Sequence, residues 1–289
     1  MKEELTPRKI FPRESPENPS TTLAQMARGA NLLFRIETQG ADFLRKIPEG
    51  KHVIFLTSHF SDYDMPIAIA ALADTWGKNL KVMQASTNER FGNTLGAKIA
   101  RTIEGADDAL AVSFRGKPGE QGRSGVFNPD DYALMRKSLE EGSSLVAAAY
   151  FDPTYQNKEW HLPARGGYGG VYLAQITPET VIVPIAVDIQ SEKPLGMGDK
   201  GIMQIIKEVR PRVAVRIGCP LEPQKIEGIE RFKEILKRRE HRESITDAEH
   251  AEFTRMRRAL REESDRVMQN LSDMLPPKKR AVTIDTLGG

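Results

Sequence analysis

The chain has 289 residues, of which 39% are hydrophobic and 28% charged, and a formal net charge of +2. That length suffices for one large α/β domain with additions or for two small domains, and no window reaches about 18 apolar residues, so no membrane-spanning helix is expected. The small net charge gives no reason to expect a nucleic-acid partner, and the single cysteine, Cys219, excludes an internal disulfide and fits a reducing, cytoplasmic compartment.

Residues 1–20 hold four prolines among polar residues and read as an extended or disordered arm. The N-terminus, Met1-Lys-Glu-Glu-Leu, lacks the apolar core of a signal peptide. From Thr21 to about Lys46 apolar residues recur at three-to-four spacing, predicting one or two amphipathic helices broken at Gly40. Such helices bury their stripe in protein or at a lipid surface.

Val53-Ile-Phe-Leu56 reads as a buried strand that ends in His59. Asp64 then opens an apolar helix through about Trp76. Ser61 and Asp64 stand in N-cap and N3 relation, so Asp64 is a candidate capping carboxylate, with His59 an ordinary loop histidine. The same spacing also suits a histidine base with an orienting carboxylate. Strands are predicted at Leu80–Met83, Ala109–Phe114, Ser144–Tyr150, Val181–Val187 and Arg212–Gly218. Helices are expected at Arg90–Arg101, from Asn128 to Glu141, and after Arg165-Gly-Gly-Tyr-Gly-Gly170 to about Gln175. Pro184 points to an edge strand or a bulge. Strands alternating with helices predict an α/β fold: a mixed, largely parallel sheet flanked by helices, with helical N- and C-terminal additions.

A helix around Ile226–Leu236 and a second opened by the capping box Thr246-Asp-Ala-Glu249 form the C-terminal extension. The expected organisation is an arm at 1–20, an α/β domain with its N-terminal helical segment at 21–222, the helical extension at 223–275, and a loose tail at 276–289. The helical pair is expected to pack on the body, the alternatives being a dimerisation or membrane-docking arm.

Ser58-His-Phe-Ser-Asp-Tyr-Asp64 resembles the His-x4-Asp motif of the glycerol-phosphate and lysophospholipid acyltransferase superfamily. Further matches follow in the family's order: Phe114-Arg115 at a strand end, Asp152 in the next long loop, Arg165-Gly166 before a helix, Val183-Pro-Ile185, and Arg216-Ile-Gly-Cys-Pro-Leu221. The resemblance spans about residues 45–222. It implies acyl transfer from a coenzyme A or acyl-carrier-protein thioester to the hydroxyl of a glycerol-phosphate or lysophospholipid-type acceptor. His59 would be the general base and Asp64 its orienting partner. Arg115, Asp152, Thr154, Arg165 and Gly166 would bind substrate. No bound cofactor or metal is implied. The partners expected are the thioester, the alcohol, an acyl carrier protein and a membrane surface touched peripherally.

The family's Phe-Pro-Glu-Gly-Thr-Arg motif is altered here to Tyr150-Phe-Asp-Pro-Thr-Tyr155. The arginine that helps grip an acceptor phosphate is therefore Tyr155, and Arg115, Lys117, Arg123 and Arg165 are the alternative phosphate contacts. Transfer to a non-glycerolipid alcohol, or a non-catalytic acyl- or lipid-binding protein, are the competing readings.

Overall fold

Two apolar faces of one sheet organise the molecule. The structure, a computed structural model, describes residues 21–61, 63–76, 79–85, 109–112, 129–150, 162–163, 166–191, 205, 210–240 and 243–280. Among the described residues there are seven strands: β1 (Arg35–Gln39), β2 (His52–Thr57), β3 (Leu80–Ala85), β4 (Ala109–Val112), β5 (Ser144–Ala148), β6 (Thr180–Gln190) and β7 (Arg212–Ile217). They form one sheet in the order β1-β7-β6-β2-β5-β3-β4. β6, β2, β5, β3 and β4 run parallel, while β7 is antiparallel to β6 and β1 is parallel to β7. The fold is α/β with a mixed, largely parallel sheet.

Strands buried on both faces carry unbroken apolar runs rather than alternation. β2 and β6 fit that rule, and their side chains divide between two cores. Val53, Phe55, Val183 and Ile185 pack with Ile67, Ile69 and Leu72 of α3 (Asp64–Thr75) and with Ala27, Ala30 and Phe34 in and just after α1 (Thr21–Leu33). A short α2 (Ala41–Leu44) lies on the same side. On the opposite face Ile54, Leu56 and Ile182 pack with α4 (Pro129–Glu140), α5 (Gly169–Ile176), α6 (Ile229–Glu240) and α7 (Asp247–Met274).

The helical extension belongs to this second layer. Phe232 of α6 stacks on Phe253 of α7 at 4.7 Å, and Phe232 meets Tyr172 of α5 edge-on at 5.6 Å. The stripes of α6 and α7 are thus covered by protein. Thr246 caps α7 with the reciprocal Glu249 bonds of a capping box, as its sequence predicts.

Two sequence expectations change, and a third, the edge or bulge at Pro184, is decided for the bulge. The region 21–46 contains the edge strand β1 as well as helix, although its break at Gly40 is present, with φ +77°. Pro184 lies in a central strand, not an edge. β6 pairs Ile185 with Ile217 but Ile182 with Leu221, so three steps on β6 face four on the other chain, a bulge beside the proline. Residues 276–280, read as loose tail, are anchored: Pro277–Lys279 form a 3-10 turn with Lys279 buried. The helix expected at 90–101 and the expected helix start at Asn128 lie outside the described residues. No helix among the described residues is long and apolar enough to cross a membrane.

Candidate active site

Open α/β sheets bind ligands beyond the carboxyl ends of their strands, where neighbouring strands send their connections to opposite faces. β2 and β5 are such neighbours. β2 leads through residues 58–63 into α3 on one face, and β5 leads through 149–168 into α5 on the other. His59 stands at the resulting crevice, half-buried, two residues beyond β2.

The loops on the two sides of the crevice are fastened together. Ala149 N–H donates to the Thr57 carbonyl at 2.9 Å, and Gly167 N–H donates to the Ala149 carbonyl at 2.9 Å. The His59 N–H donates to the Tyr150 hydroxyl at 3.1 Å. On the β6 side, Ser58 N–H donates to the Ile185 carbonyl, and the buried Ser58 hydroxyl accepts from Val187 N–H at 2.9 Å. The backbone on either side of His59 is therefore fixed from both neighbouring strands.

Asp64 fixes it from below. Its side chain is fully buried, and its carboxylate accepts from the backbone N–H groups of Phe60 and Ser61, the latter at 2.8 Å. It also accepts from the Ser61 hydroxyl at 2.9 Å. This is half of the expected capping box, with a corrected register: Tyr63 is the residue before the helix, and Asp64 is its first residue. The Ser61 hydroxyl accepts from Tyr63 N–H at 3.3 Å. A carboxylate in the first helical turn also faces the positive end of the helix dipole. Burial nevertheless pushes the Asp64 carboxyl up to about 7, against the pull of the Ser61 N–H and hydroxyl, the Phe60 N–H and the Lys279 charge.

Lys279 closes the site from the C-terminal side. Its ammonium donates to Asp188 Oδ1 at 2.6 Å and to the Ile189 carbonyl at 2.8 Å, and Arg216 reaches Asp188 Oδ2 at 3.3 Å. Burial pulls the Lys279 pKa down, and its bond to Asp188 opposes that. The Lys279 carbonyl accepts from Leu162 N–H at 3.1 Å, so the turn also holds the loop leading to α5.

Of the residues singled out from sequence, the structure brings His59, Asp64 and the Val183-Pro-Ile185 segment together, the last directly beside Thr57. Gly166 lies at the other end of the loop, against α7. A Cβ there would come within 2.8 Å of Ser264 Oγ and 2.7 Å of Met268 Cγ, so glycine permits this close approach. The Ser264 hydroxyl donates to the neighbouring Gly167 carbonyl at 3.1 Å. Arg115, Asp152, Thr154 and Arg165 lie outside the described residues. Cys219 is an exposed free thiol.

Four residues at the site escape a sequence reading: Ser58, Tyr150, Asp188 and Lys279. Asp188 alone has a signal, an acid within the apolar run of β6. Among the described residues no group of His, Cys, Asp and Glu is arranged to hold a metal ion.

No protein-family model matches the chain, and no curated protein matches it. Among solved structures, it is similar to the 1-acyl-sn-glycerophosphate acyltransferase PlsC from Thermotoga maritima, with a TM-score of 0.42 and 10% sequence identity. The match covers 76% of this chain and 77% of that one.

Proposed function

We propose that the protein is an O-acyltransferase that moves an acyl group from a thioester to an alcohol, with His59 as general base. The observation that carries this reading is the place of His59 at the mouth between β2 and β5, within a Ser58-His-Phe-Ser-Asp-Tyr-Asp64 segment whose backbone is held on every side. The donor is a coenzyme A or acyl-carrier-protein thioester, and the acceptor is a glycerol-phosphate or lysophospholipid-type hydroxyl.

The chemistry follows from those positions. His59 takes the proton of the acceptor hydroxyl as its oxygen attacks the thioester carbonyl. The C–O bond forms, the C–S bond breaks, and the departing thiolate receives the proton from the imidazolium. Asp64 acts on His59 through the loop, since its hydrogen bonds to Phe60 and Ser61 set the course of the chain after the histidine. Its carboxylate, when ionised, also favours the imidazolium that forms. Arg115, Asp152, Thr154, Arg165 and Gly166 retain their assignment to substrate binding.

The test is release of free thiol from an acyl thioester, with product mass followed across a panel of acceptors. Release that depends on an added alcohol, and that is lost in His59→Ala, supports the transferase. Release equally fast without acceptor makes the protein a thioesterase, and full transfer by His59→Ala removes the base.

A further inference from the structure

Three arginines gather beside the crevice with no carboxylate partner among the described residues. Phe253, Arg257 and Arg261 follow one another at four-residue spacing, so they form one stripe along α7. Arg239 of α6 lies over the Phe253 ring at 4.5 Å, which adds a third guanidinium to that stripe. Tyr168, the residue before α5, stands among them: burial raises its phenol pKa, and the charges of Arg257, Arg261 and Arg239 oppose that rise.

Most of the other arginines of these helices are neutralised, although Arg255 and Lys237 also have no carboxylate partner among the described residues. Arg231 and Arg238 pair with Glu249, Arg258 pairs with Glu262, and Arg266 pairs with Glu263. Among the described residues no carboxylate pairs with Arg239, Arg257 or Arg261. A compact group of uncompensated guanidiniums beside aromatic rings suits a phosphorylated planar ligand, because the guanidinium fork grips phosphate oxygens and its face stacks on rings.

The position of the group selects which phosphate. Tyr168 follows Gly167, which bonds to Ala149, which bonds to Thr57 two residues before His59. Two steps between neighbouring chains separate the Gly167 backbone from Thr57, a span on the order of 10 Å, and the arginines lie beyond that on the side of Tyr168. The hydroxyl and phosphate of a small acceptor are only a few bonds apart and cannot reach both places. A coenzyme A thioester holds its nucleotide a whole pantetheine arm away from the reacting carbonyl. We infer that Arg239, Arg257 and Arg261 form the docking site for the nucleotide phosphates of a coenzyme A thioester. This rests on the transferase reading above and names the donor it uses.

The experiment measures calorimetric affinity of the full chain for coenzyme A and for pantetheine, in wild type and in Arg257→Gln/Arg261→Gln with and without Arg239→Gln. Unchanged thermal stability shows that these substitutions, at the exposed Arg239 and Arg261 and the half-buried Arg257, leave the fold intact. The expected result is wild-type preference for coenzyme A over pantetheine, reduced about tenfold or more in the double variant and further in the triple. Affinity for pantetheine stays the same. The inference is overturned if the variants bind coenzyme A as tightly as wild type, or if wild type does not prefer it to pantetheine. It is equally overturned if the substitutions weaken only binding to phosphatidylglycerol vesicles or to an acyl carrier protein. Binding that follows the arginines with no turnover on any acceptor would instead remove the transferase reading and leave the nucleotide site standing.

Discussion

Lys279 and Asp188 form a buried ion pair across 91 residues of sequence, with Nζ 2.6 Å from Oδ1 and each residue about 3% exposed. The pair joins the turn after α7 to the carboxyl end of β6, next to the segment that carries His59. Removing one partner of a buried pair costs about 3–5 kcal/mol when the other charge is left alone, and here the half-buried Arg216 still reaches Asp188. Lys279→Met is therefore expected to lower the unfolding free energy in urea titrations by less than that amount. Lys279→Met combined with Asp188→Leu should recover much of the loss. A single variant as stable as wild type would show that the pair holds nothing.

His59→Ala should reduce kcat for acyl transfer by a factor of about 10²–10⁴, the range a positioned general base supplies. The melting temperature should move little, since the neighbouring backbone is held by Ser58, Tyr150 and Asp64 rather than by the imidazole. Steady-state kinetics and a thermal melt on the same preparation separate lost chemistry from lost fold.

Tyr150→Phe deletes the hydroxyl that accepts the His59 N–H and keeps the ring in the core. The stability loss should be about 1–2 kcal/mol, the cost of leaving a partly buried donor unsatisfied. Because that backbone N–H helps position the residue carrying the base, kcat should fall by more than KM changes. A variant altered only in KM would place Tyr150 against the substrate instead.

Asp64 makes stability depend on pH with a definite sign. The folded protein keeps the Asp64 proton until about pH 7, whereas an unfolded aspartate loses it near about pH 4. Between those values the folded state binds more protons. Its contribution is therefore fully present below about pH 4, is lost as pH rises to about 7, and changes no further above that. Urea unfolding at a series of pH values should show this decline in wild type, and Asp64→Asn should remove it. An unchanged slope in the variant would mean that Asp64 is not the titrating group.

Gly40→Ala probes the turn between β1 and α2. Gly40 has φ +77°, and a Cβ there would overlap the Ile217 carbonyl oxygen. The strained backbone and the displaced carbonyl together should cost about 1–3 kcal/mol, read as a lowered melting temperature. No shift would mean that β7 yields at that point.

What could be read in the sequence was set by how local its cause is. Thr246 and Glu249 are three residues apart and their capping box was legible, because both partners sit in one turn. β2 and β6 announced themselves as apolar runs, since both of their faces are covered. Arg35-Ile-Glu-Thr-Gln39 does not read as a strand, because an edge strand with only half-buried alternate positions carries little apolar signal. Tyr63 rather than Ser61 precedes α3 because the Asp64 carboxylate turns back to the loop N–H groups, a choice that spacing alone does not decide. Tyr150, Asp188 and Lys279 reach the site only through pairings distant in sequence. Nothing in the Pro276-Pro-Lys-Lys279 stretch distinguishes the buried lysine from its exposed neighbour.

The anchoring of Leu162 and Asp188 by Lys279 has a consequence for the order in which the protein is made. Every strand of the described sheet is synthesised before residue 218, yet the clasp on the loop beside His59 comes from residue 279. A growing chain still short of that lysine carries Asp188 without its buried counter-charge. Closing contacts so remote in sequence is slow, because the chain between them must first be ordered. The sheet and the histidine come off the ribosome early, and the mouth of the crevice is fastened last.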